Sequence, residues 1–203
     1  MGKTNKYNVL EVKEYLNIFG RSFDSLDGVS ADWSGAGIEF RAVCEGEVRI
    51  ELTARTACRF FIVVDGENRR EISLAKGRKG YVIASELEKG NHTFRFIKSS
   101  MVEEESEPLA VTINAIELCG EIVPKSPKRH RFIEFVGDSI TCGVGTSSPT
   151  VFAPHAELSY GYLVANKLDA DYSLVSISGI GLSRSVDRHK GLNMRHAYSY
   201  TNY

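Results

Sequence analysis

Two segments of this sequence hold residue types that could carry out acyl chemistry. Gly137-Asp138-Ser139-Ile140-Thr141 stands directly after the apolar run Phe132-Ile133-Glu134-Phe135-Val136, and Ser178-Gly179-Ile180-Gly181 directly after Tyr172-Ser173-Leu174-Val175-Ser176-Ile177. If both runs are parallel strands, Ser139 and Gly179 sit at carboxyl ends, where open α/β sheets bind their ligands. Gly137 allows the tight turn that exposes the Ser139 hydroxyl, and Gly179 can present a backbone N–H to an oxyanion, as acyl transfer requires. The competing reading makes Ser139 a turn residue that caps the next helix, and Gly-x-Gly after a strand is often only a turn. Among His92, His130, His155, His189 and His196, His155 alone has a route to Ser139 as a base, because it lies in the loop between that serine and the following helix. A surface loop histidine is the commoner role.

Other chemistries fail on spacing. Gly143-Val144-Gly145-Thr146-Ser147-Ser148 lacks the Gly-Lys-Ser/Thr of a phosphate loop, and Gly179-Ile180-Gly181-Leu182-Ser183-Arg184 lacks the third glycine of a dinucleotide fingerprint. Cys44, Cys58, Cys119 and Cys142 never form Cys-x-x-Cys, so zinc knuckles and redox pairs are disfavoured. Cys142, three residues after Ser139, has nothing around it to lower a thiol pKa and reads as a small buried residue. Asn91-His92-Thr93 matches a glycosylation sequon but falls in a strand pattern.

The elements that position these residues divide at a linker. From Trp33 onward, Ile38, Phe40 and Ala42, then Val48, Ile50 and Leu52, alternate with charged residues, the period of half-buried strands. Arg59-Phe60-Phe61-Ile62-Val63-Val64 is apolar on both faces and stops at Asp65-Gly66, a hairpin turn. Further strands are expected at residues 71–74, 81–84, 92–97 and 110–118, giving seven short strands, while the first 30 residues read as an irregular lead-in or an edge strand. The acidic run Glu103-Glu104-Glu105 reads as a solvated loop. This pattern predicts an all-β, jelly-roll-like antiparallel sandwich over residues 1–122. Pro124-Lys125-Ser126-Pro127-Lys128-Arg129 cannot continue a central strand, so residues 123–130 are read as a linker. Residues 131–203 then show strand, helical spacing through Leu158, Tyr162, Ala165 and Leu168, and strand again: a β-α-β unit with a parallel sheet.

The chain's 203 residues, 42% hydrophobic and 25% charged, suffice to bury a core and exclude disorder as the default. With 25 basic and 26 acidic residues there is no global field for nucleic acid or an anionic membrane. No run of about 18 apolar residues suggests a membrane span, and the N-terminus shows no apolar signal-peptide region, so a cytoplasmic location is expected of the chain as written.

The segment Ile133-Glu134-Phe135-Val136-Gly137-Asp138-Ser139-Ile140-Thr141-Cys142-Gly143 resembles the first block of SGNH (GDSL-type) hydrolases, and Val175-Ser176-Ile177-Ser178-Gly179-Ile180-Gly181-Leu182 resembles their second. The preceding sandwich, with Trp33-Ser34-Gly35-Ala36-Gly37-Ile38, Val63-Val64-Asp65-Gly66 and Gly90-Asn91-His92-Thr93, is similar to the N-terminal domain of carbohydrate esterase family 2, and Leu158-Ser159-Tyr160-Gly161-Tyr162 suits that family's first helix. The resemblance implies a flavodoxin-like SGNH hydrolase domain after the sandwich, and removal of acetyl groups from plant oligo- or polysaccharides without metal or cofactor. It makes Ser139 the nucleophile, its N–H and that of Gly179 oxyanion donors, and Gly137 and Asp138 supports of the loop. Members of the family are often secreted. Two further family blocks, Gly-x-Asn-Asp with an oxyanion asparagine and Asp-x-x-His with the base, do not occur.

From Arg131 to Tyr203 there are 73 residues, with two strands of what should be a five-stranded sheet. The chain is therefore expected to be the N-terminal portion of a longer acetylxylan-type esterase. Alone it should be inactive, with the apolar faces of both parallel strands partly uncovered and the sandwich the more protease-resistant part. Two alternatives stay open. One is a carbohydrate-binding or accessory module, which exposed aromatics on the sandwich would favour. The other is an SGNH esterase or lipase acting on a non-carbohydrate acyl ester.

Overall fold

Alternation of apolar and polar side chains over residues 37–54 builds a strand that buries Ile38, Phe40, Ala42, Cys44, Val48, Ile50, Leu52 and Ala54 on one face. The computed structural model describes residues 3–101, 111–148, 153–186 and 191–200, so Glu103-Glu104-Glu105 and His189 lie outside the described residues. The strands are β1 (Asn5–Asn8), β2 (Asn17–Phe19), β3 (Ser22–Ser25), β4 (Gly28–Ala31), β5 (Gly37–Ala54), β6 (Cys58–Val64), β7 (Asn68–Leu74), β8 (Gly77–Lys98) and β9 (Val111–Val123). They form one antiparallel nine-stranded sheet in the order β3-β4-β9-β5-β8-β6-β7, with β1 joined to β9 and β2 to β5. The long strands β5 and β8 are shared by two halves of the sheet, which fold over a single apolar core. In that core Phe40 stacks on Phe94 with centroids 4.8 Å apart, and Phe60 on Phe96 at 4.2 Å. Each such ring contributes about 2 kcal/mol by leaving water.

The number and length of the strands depart from the sequence expectation. Residues 38–42 and 48–52 belong to one strand, β5, because the polar Glu45-Gly46-Glu47 forms bulges against β8 and β9 and not a turn. Gly46, at φ +74°, takes up the irregularity while Cys44 and Val48 stay on the buried face. Residues 81–84 and 92–97 are likewise one strand, β8. The first 30 residues contribute not an irregular lead-in but four short strands, of which β3 forms an edge of the sheet as the other reading of this segment expected. At Asp65-Gly66 both residues have positive φ, 53° and 79°, the backbone of a tight hairpin turn between β6 and β7.

After the prolines come β10 (Arg131–Gly137), α1 (Tyr160–Lys167), β11 (Ala170–Ser176) and a short α2 (Met194–Ala197). β10 and β11 pair in parallel, from Arg131 opposite Ala170 to Gly137 opposite Ser176. β11 is buried almost throughout, contrary to the expectation that both strands would be left partly bare. The sandwich covers it: Phe19, Phe61 and Ile97 pack with Tyr172, Leu174 and Tyr162 in one cluster, and the Gly20 N–H donates to the Tyr172 carbonyl at 3.1 Å. β10 does match that expectation, since Phe132 and Val136 are 64% and 45% exposed.

Candidate functional site

Ser139 sits half-buried one residue beyond Asp138, in the loop leaving the carboxyl end of β10. Successive turns fix this loop: Asp138 Oδ1 accepts from the Ile140 N–H at 3.1 Å, the Asp138 carbonyl from Cys142 at 3.0 Å, and the Ser139 carbonyl from Val144 at 2.9 Å. Gly137 is required sterically, because a Cβ there would lie 2.1 Å from Thr141 Oγ1. Thr141 is buried, and its hydroxyl bonds the Tyr160 hydroxyl at 3.1 Å, fastening the loop to the start of α1. That helix is capped by Ser159, whose Oγ accepts from Tyr162 N. The competing role of Ser139 as its cap is thereby filled by another serine.

Gly179 follows β11 by three residues and holds φ at +80°. Its carbonyl accepts from Val186 N at 3.1 Å, while Gly181 N donates to Ser185 Oγ at 3.0 Å. The pairing of Gly137 with Ser176 sets the Ser139 and Gly179 loops side by side at one end of the sheet. Among the described residues, neither the Ser139 N–H nor the Gly179 N–H is taken by a protein acceptor. Both N–H groups are thus open to an acceptor from outside the described residues.

His155 is placed otherwise than its role as a base would need. Its backbone N–H reaches the Gly143 carbonyl at 3.2 Å, but its ring turns to the sandwich. Nδ1 lies 3.0 Å from Glu157 and 3.5 Å from Glu71, and Nε2 lies 3.4 Å from Arg59. Glu71, His155 and Glu157 have the ligand types of a metal site. The Arg59 guanidinium, 3.0 Å from Glu71 and bonded to the Pro154 carbonyl at 2.6 Å, supplies the positive charge there instead. Ser99 completes this network with a 2.7 Å bond to Glu157. Cys142 is fully buried and its thiol is pushed up to about 11 by burial, which excludes it as a nucleophile near neutral pH. His92 bonds Asp65 and the Glu88 carbonyl within the sandwich, and His196 is exposed on α2.

Sequence reasoning passed over two features. The fully buried Ser34 touches the Cys142 thiol, which itself donates to Ser176 Oγ at 3.2 Å. Arg21 makes a forked pair with Glu134 of β10, both contacts at 3.2 Å. Neither contact is signalled locally, since the partners lie about 100 residues apart in the chain. Within the sandwich, Leu26 is the only large exposed apolar side chain among the described residues, and Trp33 is 0% exposed.

A family model for the carbohydrate esterase 2 N-terminal domain matches residues 18–123, just over half of the chain. The chain is 28% identical over 187 residues to the cellulase/esterase CelE of Acetivibrio thermocellus, covering 88% of itself and 22% of that protein. It is 40% identical over 69 residues to the acetylxylan esterase/glucomannan deacetylase of Cellvibrio japonicus, covering 30% of itself and 19% of that protein. The solved family two carbohydrate esterase from Clostridium thermocellum, in complex with cellohexaose, superposes with a TM-score of 0.82 at 24% identity. That superposition spans 92% of this chain and 58% of the solved one, and it establishes likeness of fold. By its matched domain, the chain belongs to carbohydrate esterase family 2.

Proposed function

We propose that this chain supplies the nucleophile-bearing part of a serine ester hydrolase that removes acetyl groups from oligo- or polysaccharides. One observation carries the reading: Ser139 and Gly179 leave adjacent parallel strands at the same end, each with an unengaged backbone N–H, in a member of a carbohydrate esterase family. On this reading β10, α1 and β11 are the first β-α-β unit of an SGNH hydrolase domain over residues 131–203, joined by the linker 123–130 to the sandwich over residues 1–122. Further strands of that sheet would join at β10, whose outer edge pairs with no described strand, whereas β11 is engaged by the sandwich through Gly20 N and the Tyr172 carbonyl.

Ser139 Oγ would attack the acetyl carbonyl carbon, forming a C–O bond while its proton passes to a base. The negative oxygen of the tetrahedral species would be held by the Ser139 and Gly179 N–H groups. Collapse releases the sugar hydroxyl, and water then frees acetate from the acyl-serine. His155 is held by Glu157 and Arg59, and no Asp-x-x-His block occurs in the 203 residues. Turnover by these residues alone is therefore expected to stay near background. The test is hydrolysis of 4-nitrophenyl acetate and acetylated xylan by the product of the complete reading frame. Ser139→Ala should lower kcat by about 10³-fold or more with the fold intact. Undiminished turnover would overturn the nucleophile assignment. The accessory-module reading is disfavoured by the sandwich's lack of exposed aromatics among the described residues.

A further inference from the structure

The turn at residues 32–36, between β4 and β5, belongs to the sandwich by its backbone and to the candidate site by its side chains. On the sandwich side the Gly35 N–H donates to the Lys98 carbonyl at 2.8 Å, Lys98 N to the Ala36 carbonyl at 2.8 Å, and Ala36 N to the Trp33 carbonyl at 3.3 Å. Lys98 ends β8, the longest strand of the sheet. The base of the turn is thus fixed to the most extensively paired part of the molecule.

On its other side the turn reaches both loops at the end of the parallel strands. Trp33 packs with Val175, Ile177 and Ile180, and with Met194 and Ala197 of α2. It is the one sandwich residue in that cluster, and Ile180 is the direct neighbour of Gly179. Ser34 meets Cys142, three residues beyond Ser139, and Cys142 in turn reaches Ser176 at the end of β11. Between them the Gly35 carbonyl accepts from the Tyr172 hydroxyl at 2.9 Å. A Cβ on Gly35 would stand 2.8 Å from Leu174 Cδ1, so the backbone itself lies against β11.

We infer that this turn positions the two loops, Trp33 seating the Gly179 loop and Ser34 the Ser139 loop. The inference rests on reading those loops as the nucleophile and oxyanion elements of an esterase. A short loop is held by what packs beneath it, and an oxyanion donor displaced by about 1 Å loses most of its value. The sandwich then acts on the ester as part of the site's scaffold and not as a sugar-holding appendage. Trp33 and Ser34 touch no reacting atom and are positioning residues.

Hydrogen exchange followed by mass spectrometry on the 203-residue chain tests this directly. Trp33→Ala should speed exchange in residues 177–182 about tenfold or more, leaving β5 and β8 within about twofold of the parent. Trp33→Phe should restore most of the protection, and Ser34→Ala should loosen residues 139–144 and spare 177–182. Unchanged exchange at 177–182, or equal acceleration in β5 and β8, would overturn the inference by making Trp33 a general core residue. If Trp33→Ala does not fold, Trp33→Phe and Ser34→Ala carry the same comparison, each against its own loop. In the product of the complete reading frame, Trp33→Phe should lower kcat and leave KM within about twofold. A kcat loss without any loop loosening counts against the inference. Loosening without a kcat loss leaves the positioning intact and counts against the esterase reading.

Discussion

Gly179 holds φ at +80°, a conformation that costs other residues about 1 kcal/mol or more, so the direction of its N–H is set by being glycine. On the proposed esterase reading, replacing it by alanine should turn that N–H away from where negative charge would develop. In an active enzyme Gly179→Ala is expected to lower kcat by about 10²-fold with a much smaller change in KM, because the donor matters chiefly in the transition state. Steady-state kinetics on 4-nitrophenyl acetate checks this, and an equal change in both constants would assign Gly179 to ground-state binding. The placement of Ser139 and Gly179 just past the carboxyl ends of two parallel strands was legible in the sequence, because each follows an apolar run of strand length. The engagement of His155 was not, since Arg59 lies 96 residues away and comes to it only when the two parts pack.

The turn joining β6 to β7 is tied to β8 through one histidine. His92 Nδ1 lies 2.7 Å from Asp65 and Nε2 2.8 Å from the Glu88 carbonyl, so donating to both requires the doubly protonated ring. Burial, the largest single influence, pulls the His92 pKa down, but the bonds to Asp65 and Glu88 with the Asp65 charge outweigh it, and the net shift is upward. A raised folded-state pKa stabilises fully below the unfolded value of about 6.5, and the contribution is lost as pH rises through the folded value. The urea midpoint of the parent should therefore exceed that of His92→Gln most at about pH 5 and converge with it by about pH 9. An advantage that grows with pH would contradict this. The hairpin itself was readable from Asp65-Gly66, a dipeptide suited to positive φ. The continuity of β5 and β8 was not, because Glu45-Gly46-Glu47 reads locally as a turn, and only pairing with two neighbours shows that the strand bulges and continues. In β1 to β4, three or four residues are too few to display a period.

The composition shift at the prolines suggested two bodies joined by a linker, with the sandwich outlasting the rest. The packing argues for a single cooperative unit over the described residues. Phe19, Phe61 and Ile97 share a core with Tyr172 and Leu174, Trp33 completes a second core around Ile177 and Met194, and Arg21 clasps Glu134. Apolar burial at such a junction contributes about 25 cal/mol per Å², and β11 loses the part supplied by Phe19, Phe61, Ile97 and Trp33 if the sandwich departs. Away from that junction Phe132 and Val136 of β10 and Leu163, Val164 and Leu168 on or just beyond α1 are exposed. Trp33, the one tryptophan of the sequence, reports on the junction from its centre. Urea unfolding followed by Trp33 fluorescence and by far-ultraviolet circular dichroism should therefore give one coincident transition. Fluorescence changing at clearly lower urea than the sheet signal would mean that the parallel strands peel away first, and that the junction is too weak to bind the two parts into one folding unit.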